Sequence, residues 1–357
     1  MRLQHPAYKV AAVQASPAVF DISATVDKCC ALIEEAAANG AKLIAFPESF
    51  LPGFPVWVFE SGPFGRAAAL FTQLFDNAVE IPGEAVRRIA QAARRNAIYV
   101  CLGITERDQA TLYLTQLWFD DGGNIIGKHR KLKPTGPERY IWGEGDGSTL
   151  SVFKTPLGNL GGLLCWEHRV PLAAAVMAAQ NEQVHVASWP PVAAFTQGGL
   201  SRPQDAGHTS VESPRAQPDE ASVFEVINRS YAMATQSYVV AATHVLTQEY
   251  IDHVAGGDEA MRARFRPGCG TSRIINPDGA TIGTILPPET EGLIYADIGL
   301  DRVVSSKYLC DTGGHYAAPQ VMSIRLNRRR AALCDDGPGA QAQDVIRYDD
   351  LAPDETL

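Results

Sequence analysis

A cysteine, a glutamate and a lysine, each placed where an apolar run ends, are the residues of this chain best suited to chemistry. Cys165 closes the run GNLGGLL and is followed by Trp166, Glu167 and His168. The glycines and leucines of that run predict a short buried strand, and Pro171 ahead of LAAAVMAA predicts a helix, so Cys165 falls on a strand-to-helix turn. On such a turn a side chain projects into a cleft while backbone N–H groups stay free to meet a developing negative charge. Glu48 leaves the strand-like KLIAF in the segment FPESFLPGFP, where prolines and aromatic rings would desolvate a carboxylate and raise its pKa. Lys131 and Lys133 lie at the end of the strand-like NIIGKHRKLKP, on the same face by the two-residue period, so spacing does not choose between them. Glu138 and Glu144, in the loop-like PTGPERYIWGEGDGS, are further candidate carboxylates.

A thiol becomes a nucleophile when a base takes its proton and positive charge or N–H donors stabilise the anion. With Glu48 as base and a lysine as cation, sulfur can add to an electrophilic carbon bound to nitrogen. The same acid–base group can protonate the departing nitrogen and activate water against the covalent intermediate, without a cofactor. Singly, each residue has a plainer reading, the cysteine as core packing and the charges as solvated surface; their conjunction at strand ends favours chemistry. Cys165 and His168 make only half of a zinc site, so no metal is expected. Thiolate control of reactivity predicts that iodoacetamide modifies Cys165 ahead of the other cysteines.

The elements that must position these residues are legible in order. YKVAAVQA reads as a strand, Ser23 opens a helix with Val26, Cys30, Ile33 and Ala37 at helical spacing, and Asn39-Gly40 ends it before KLIAF. This β-α-β start implies a parallel pair with its ligand side at the strand carboxyl ends. Residues 84–96 read as a helix, while 97–104 and 112–119 read as a hairpin, which makes the sheet mixed. HVASWP is a strand, 195–220 an inserted surface loop or lid, and Asp219 caps a helix with Val223, Val226, Ile227, Ser230, Tyr231 and Ala234 on one face. YVVAAT, TSRIINPDG, ATIGTIL and GLIYADI complete a second set of strands, turning at Pro277-Asp278-Gly279. The economical architecture is one α/β domain, residues 1–330, with two facing mixed sheets and helices outside. An acidic tail, 331–357, follows; it is read as flexible or docking on a neighbouring subunit.

The chain has 357 residues, 46% of them hydrophobic, and can bury a large core. A net charge of −9 argues against nucleic acid or an anionic membrane as the main partner. No apolar stretch approaches the roughly 18–20 residues that span a bilayer, and the N-terminus lacks a secretory pattern, so a cytoplasmic location is expected. Seven cysteines without paired spacing fit a reduced compartment.

The segments FPESFLPGFPVW, HRKLKPTGPERYIWGEGDGS, GGLLCWEHRVPL, HVASWP and GHYAAPQVMSI, in that order over about residues 8–327, resemble the nitrilase superfamily and, within it, the true nitrilase branch. The resemblance implies an α-β-β-α sandwich, a homo-oligomer built from dimers and often assembled into spiral filaments, and a hydrolase using neither metal nor cofactor. Position by position it implies Glu48 as general base, Lys131 rather than Lys133 as the lysine because it directly follows His129-Arg130, and Cys165 as nucleophile. Glu138 would support the lysine and orient substrate or water, and the Trp166 N–H would serve the charged intermediate. His315 lies in a C-terminal motif that is either stabilising or catalytic. The implied reaction converts an organic nitrile and water to a carboxylic acid and ammonia through a thioimidate and an acyl thioester. Phe54, Trp57, Trp142 and Trp189 flank these segments and would line an apolar pocket, favouring aryl or arylalkyl nitriles. The rivals are an amidase or carbamoyl-amide hydrolase on the same fold, and a non-catalytic scaffold.

Overall fold

The computed structural model describes residues 5–61, 64–191, 223–331 and 345–351. The chain begins β1 (Ala7–Ala15), α1 (Ile22–Ala38), β2 (Ala41–Ala45), with β1 and β2 parallel and Val10 opposite Leu43. Asp21, not Ser23, caps α1: its carboxylate accepts the Ala24 N–H at 2.9 Å. Two helices, α2 (Arg66–Asp76) and α3 (Glu84–Asn96), precede the meander β3 (Tyr99–Asp108), β4 (Thr111–Phe119), β5 (Ile125–Arg130). Short strands β6 (Trp142–Gly143) and β7 (Phe153–Thr155) lead to β8 (Gly158–Leu164), α4 (Pro171–Ala179) and β9 (Val184–Trp189). After α5 (Val223–Thr235) come β10 (Tyr238–His244), α6 (Gln248–Ala255), α7 (Glu259–Arg262), β11 (Arg273–Ile275), β12 (Thr281–Ile282), β13 (Gly292–Gly299), α8 (Leu300–Leu309) and α9 (Tyr348–Leu351).

Hydrogen bonds run unbroken through the order β5-β4-β3-β2-β1-β10-β9-β8-β7, with β13 antiparallel on β1 and β11 antiparallel on β10. β1 and β10 join in parallel at Gln14–Thr243 and Ala15–His244. On either side of that seam the two mixed sheets face each other. Their inner faces share one core, in which Val10, Leu43, Cys101 and Trp118 of the first sheet meet Leu160, Val186, Val240 and Ile274 of the second. Outside the first sheet lie α1 and α3, packed through Val26, Ile33, Ile89 and Ala93; outside the second lie α4 and α5, packed through Ala173, Val176, Met177 and Tyr231. The layers are therefore α-β-β-α, as the sequence resemblance implies.

The sequence reading misplaces the face of α5. Phe224, Asn228, Tyr231, Ala232 and Thr235 are buried, whereas Val223, Val226 and Met233 are each more than half exposed. The proposed loop at 195–220 and its cap Asp219 lie outside the described residues. The described part of the acidic tail, 345–351, packs against its own chain. Ile346 exchanges backbone bonds of 2.9 and 3.1 Å with Ile125, Tyr348 sits 4.4 Å under the Arg94 guanidinium, and Leu351 joins the core beside α3. Among the described residues no helix is long and apolar enough to cross a membrane.

Candidate active site

The segment carrying Glu48 lies directly on β3. Phe46 N–H donates to the Cys101 carbonyl at 2.8 Å and Leu51 N–H to that of Gly103 at 3.2 Å. A Cβ at Gly103 would fall 1.9 Å from the Pro47 carbonyl oxygen and 2.9 Å from Glu48 Cα, so only glycine lets the two backbones meet. Gly103→Ala is thus expected to lose about 3 kcal/mol or more of unfolding free energy, because backbone cannot rotate away from a clash as a side chain does. Urea denaturation alongside turnover checks this; a wild-type midpoint would remove the constraint.

Lys131 follows β5, its N–H donating to Leu114 O and its carbonyl accepting from Gly145 N–H, each at 2.8 Å. A Cβ at Gly145 would meet the Arg130 carbonyl oxygen at 2.2 Å, which explains why the GEGDGS loop can pass this close to the lysine. Lys131 is 1% exposed, whereas the Lys133 ammonium is exposed and bound to Glu144. The chain leaves the strand after Arg130, so the two-residue period that made the lysines equivalent ends before reaching them. Glu138 sits in a short helical turn, Gly136–Tyr140, where its carboxylate accepts Thr135 N–H at 2.7 Å.

These side chains converge. Lys131 Nζ donates to Glu48 Oε1 and to Glu138 Oε2, both at 2.8 Å. One carboxylate oxygen of each glutamate and the Cys165 sulfur lie within 4.8 Å of one another, and all four residues are at most 1% exposed. The cation that three such donors would otherwise attract is the lysine's own ammonium. Burial pushes Glu48 up to about 8 despite Lys131 beside it. Burial also pushes the Cys165 thiol well above its usual value, against the pull of Lys131 and of the Trp166 N–H. For Lys131, burial disfavours the charge, but Glu138, Glu48 and Cys165 outweigh it and hold the ammonium. At rest the site therefore keeps a neutral thiol beside a fixed positive charge and a carboxyl that ionises near pH 8. Among the described residues Glu48 Oε2 has no hydrogen-bond partner, which leaves it free to exchange a proton with whatever enters.

Burial reverses the expected order of alkylation. Cys165 is enclosed and protonated while Cys30 and Cys310 are partly exposed, so iodoacetamide is expected to reach those first. Cys165 itself begins a helical turn, Cys165–Arg169, with φ +50°, a left-handed conformation that costs a non-glycine residue about 1–3 kcal/mol. Glu167, which sequence reasoning left unassigned, braces that turn. Its carboxylate accepts Leu164 N–H at 2.9 Å, Leu132 N–H at 2.8 Å and His129 Nε2 at 3.0 Å, tying the cysteine turn to the lysine segment. Burial would raise its pKa, but His129 and the two N–H groups hold it below the usual carboxylate value. Gln116 pins the two sheets beneath the site, donating to Leu163 O and Val186 O at 3.2 Å and to Ser188 Oγ at 2.9 Å. His244 donates from Nε2 to the Glu48 carbonyl at 2.6 Å. No spacing in the sequence announces these three, because each acts across strands far apart in the chain.

The aromatic candidates fall in four settings. Phe54 and Trp142 face each other at 5.6 Å and Phe54 lies 6.5 Å from the His244 ring, so these two stand near the Glu48 segment. Trp57 is enclosed against Phe20, and Trp189 is stacked on His168 with its indole N–H bound to Asn228. Trp166 is half-buried under the Arg169 guanidinium. His315 is exposed, 5.8 Å from Tyr316.

Comparison with known proteins identifies the family. Residues 9–308 match the family model described as carbon-nitrogen hydrolase. The chain is 43% identical over 347 residues to a nitrilase of Bacillus sp. (strain OxB-1), covering 97% of this chain and 96% of that protein. It is 39% identical to an aliphatic nitrilase of Rhodococcus rhodochrous, over 90% of this chain and 79% of that one. Among solved structures, a carbon-nitrogen hydrolase from Helicobacter pylori G27 superposes with a TM-score of 0.62 at 18% identity, covering 85% of this chain and 94% of that chain; at that identity it bears on the fold alone. The chain belongs to the carbon-nitrogen hydrolase family, in its nitrilase branch.

Proposed function

We propose that this protein hydrolyses organic nitriles to carboxylic acids and ammonia, with Cys165 as nucleophile, Glu48 as proton carrier, Lys131 as electrostatic stabiliser and Glu138 as its anchor. The observation that carries the reading is the enclosed cluster of one thiol and two carboxylates around an ammonium, in a chain whose relatives over nearly its full length are nitrilases. Cys165 sulfur bonds to the nitrile carbon while its proton passes through Glu48 to nitrogen, giving a thioimidate. A water then adds to that carbon, its proton again taken by Glu48, and the nitrogen departs as ammonia to leave an acyl thioester. A second water releases the acid and returns the proton to sulfur. Lys131, fixed by two carboxylates, faces the nitrogen and later the oxygen on which negative charge grows, and needs no reorganisation to do so.

The substrate class we propose is aryl and arylalkyl nitriles, supported by the Phe54–Trp142 pair near Glu48. The aliphatic nitrilase among the relatives makes the short-chain nitriles the necessary comparison. Ammonia release from matched nitrile and amide forms of benzoyl, phenylacetyl and butyryl compounds tests both points. Release from the nitriles, fastest for the aromatic pair, is expected; release from the amides alone would make the enzyme an amidase. We also propose a homo-oligomer, supported by the exposed Val223, Val226 and Met233 on α5. Sedimentation of Val226→Arg should then show a smaller particle than wild type. A reduced, cytoplasmic compartment suits a chain whose described cysteines are all free thiols.

A further inference from the structure

Beneath Cys165 runs a second buried polar chain that the proposed reaction does not use. His168 Nδ1 lies 2.5 Å from the Cys165 carbonyl oxygen, and its Nε2 lies 2.9 Å from His185 Nε2. His185 Nδ1 lies 2.8 Å from Glu182 Oε1, and Glu182 Oε2 accepts the Tyr231 hydroxyl at 2.7 Å. Glu182 and His185 are fully buried, Tyr231 is 2% exposed and His168 7%. The space is built for this chain: a Cβ at Gly161 would sit 2.2 Å from Glu182 Oε1. That is a reason for the GNLGG pattern beyond strand formation.

Counting donors and acceptors orders every proton along it. The Cys165 carbonyl can only accept, so His168 must carry its proton on Nδ1. Burial drives the His168 pKa down to about 3, so the ring is neutral and Nε2 is a bare acceptor. His185 must then donate from Nε2, and a single further proton bridges its Nδ1 and Glu182. Tyr231 closes the far end as donor. His185 and His168 thus both donate toward Cys165, while Tyr231 donates into Glu182 from the far side.

The carbonyl at the near end belongs to the Cys165–Trp166 peptide. That peptide is planar and trans, so a carbonyl held on one side aims the Trp166 N–H at the other. This N–H is also the backbone group that pulls the pKa of the Cys165 thiol downward. His168 is thereby committed to the backbone and is not available as the base for the thiol.

We infer that His168, His185, Glu182 and Tyr231 are positioning residues that lock the Cys165–Trp166 peptide so that its N–H faces the reacting sulfur and the charge that forms beside it. The inference rests on Cys165 being the nucleophile. Its members act through Trp166 and never touch substrate.

The test compares pairs of full-length variants by kcat and KM for the nitrile hydrolysed fastest. His168→Phe fills the same space against Trp189 but cannot donate; it should lower kcat about 100-fold with KM within about threefold, the size of losing one aimed N–H donor. His168→Asn restores a short N–H donor and should recover to within about tenfold of wild type. Glu182→Gln keeps the direction of the chain, its amide donating to His185 Nδ1 and accepting from Tyr231, and should stay within about threefold. Glu182→Leu breaks it and should fall toward His168→Phe. If Glu182→Leu does not fold, Tyr231→Phe, which removes one oxygen, carries the same test with an expected kcat loss of about tenfold and KM unchanged. A purely structural role would lower thermal stability in all variants and leave kcat per folded molecule alike; that result overturns the inference. So would His168→Asn and His168→Phe being equally impaired. Loss of turnover in Cys165→Ala with wild-type kcat in these variants would sink the positioning role alone, whereas an active Cys165→Ala would sink the nucleophile on which it stands.

Discussion

A Cys165→Ala protein is expected to fold, to melt within a few degrees of wild type, and to release ammonia from nitriles more slowly by a factor on the order of 10⁵. The stability change is small because only a sulfur atom is lost from a site already walled by Leu163, Ala187 and Trp189. The catalytic loss is large because, among the described residues, Cys165 is the cysteine grouped with Glu48 and Glu138. Cys29 and Cys101 are buried in the layers on or within the first sheet, and burial holds both thiols protonated. Acid-quenched mass spectrometry during turnover should find the acyl group on the peptide containing Cys165 and on no other. An adduct elsewhere, or turnover surviving the substitution, would refute the mechanism. This measurement is preferable to alkylation because iodoacetamide reads exposure first, and Cys165 is 1% exposed.

Glu48→Gln is expected to lower kcat by about 10³-fold or more, since the amide can still accept from Lys131 but cannot carry a proton. The same substitution should change how stability depends on pH. Burial raises Glu48 from 4.5 to about 8, so the folded protein binds a proton between those values that the unfolded chain releases. Its stabilising contribution is full below pH 4.5 and is lost as pH rises through about 8. Two buried histidines act in the opposite sense. Burial lowers His168 from 6.5 to about 3 and His244 from 6.5 to about 4, so their contribution is present above pH 6.5 and lost on acidification. Two protons outweigh one below pH 6.5; above it Glu48 acts first, joined from about pH 9 by the buried Cys29, Cys101 and Cys165 thiols, whose raised pKa values act in the same sense. Thermal stability should therefore peak near pH 6.5 and decline toward pH 8 and above. In Glu48→Gln the alkaline decline should flatten, leaving the variant more heat-resistant than wild type at pH 9 while nearly inactive. For wild type, kcat/KM should rise with pH along a limb centred near 8, where the base becomes ionised. A limb near pH 4 would mean that Glu48 ionises freely and is not the buried proton carrier.

Both predictions depend on burial, which the sequence expresses unevenly. The strand and helix order was legible because each element is amphipathic or wholly apolar over its own length. Residues 84–96 match α3 end to end, and the runs around Cys165 become β8, a turn and α4. Where an element's partner mattered, local pattern misled. The apolar residues of α5 suggested a face through Val223 and Val226, yet the helix turns Asn228 inward because Trp189 offers it an N–H at 3.1 Å. Asp21 rather than Ser23 caps α1, both being chemically suited to the place.

By itself the sequence determined which residue types stood at strand ends, in what order, and that a thiol, a carboxylate and a lysine could cooperate there. Types and local periods are properties of consecutive residues, so they survive in one dimension. The family resemblance pointed to Lys131 and Glu138, and the tertiary structure supplies the reason: both enter the site while Lys133 and Glu144 pair with each other at the surface. The tertiary structure alone gave Glu167 and Gln116 their bracing roles and set His168 against the backbone of Cys165. The reason is that desolvation and hydrogen bonding depend on atoms brought together from positions as far apart as Glu48 and His244, and no spacing along the chain records their distance in space.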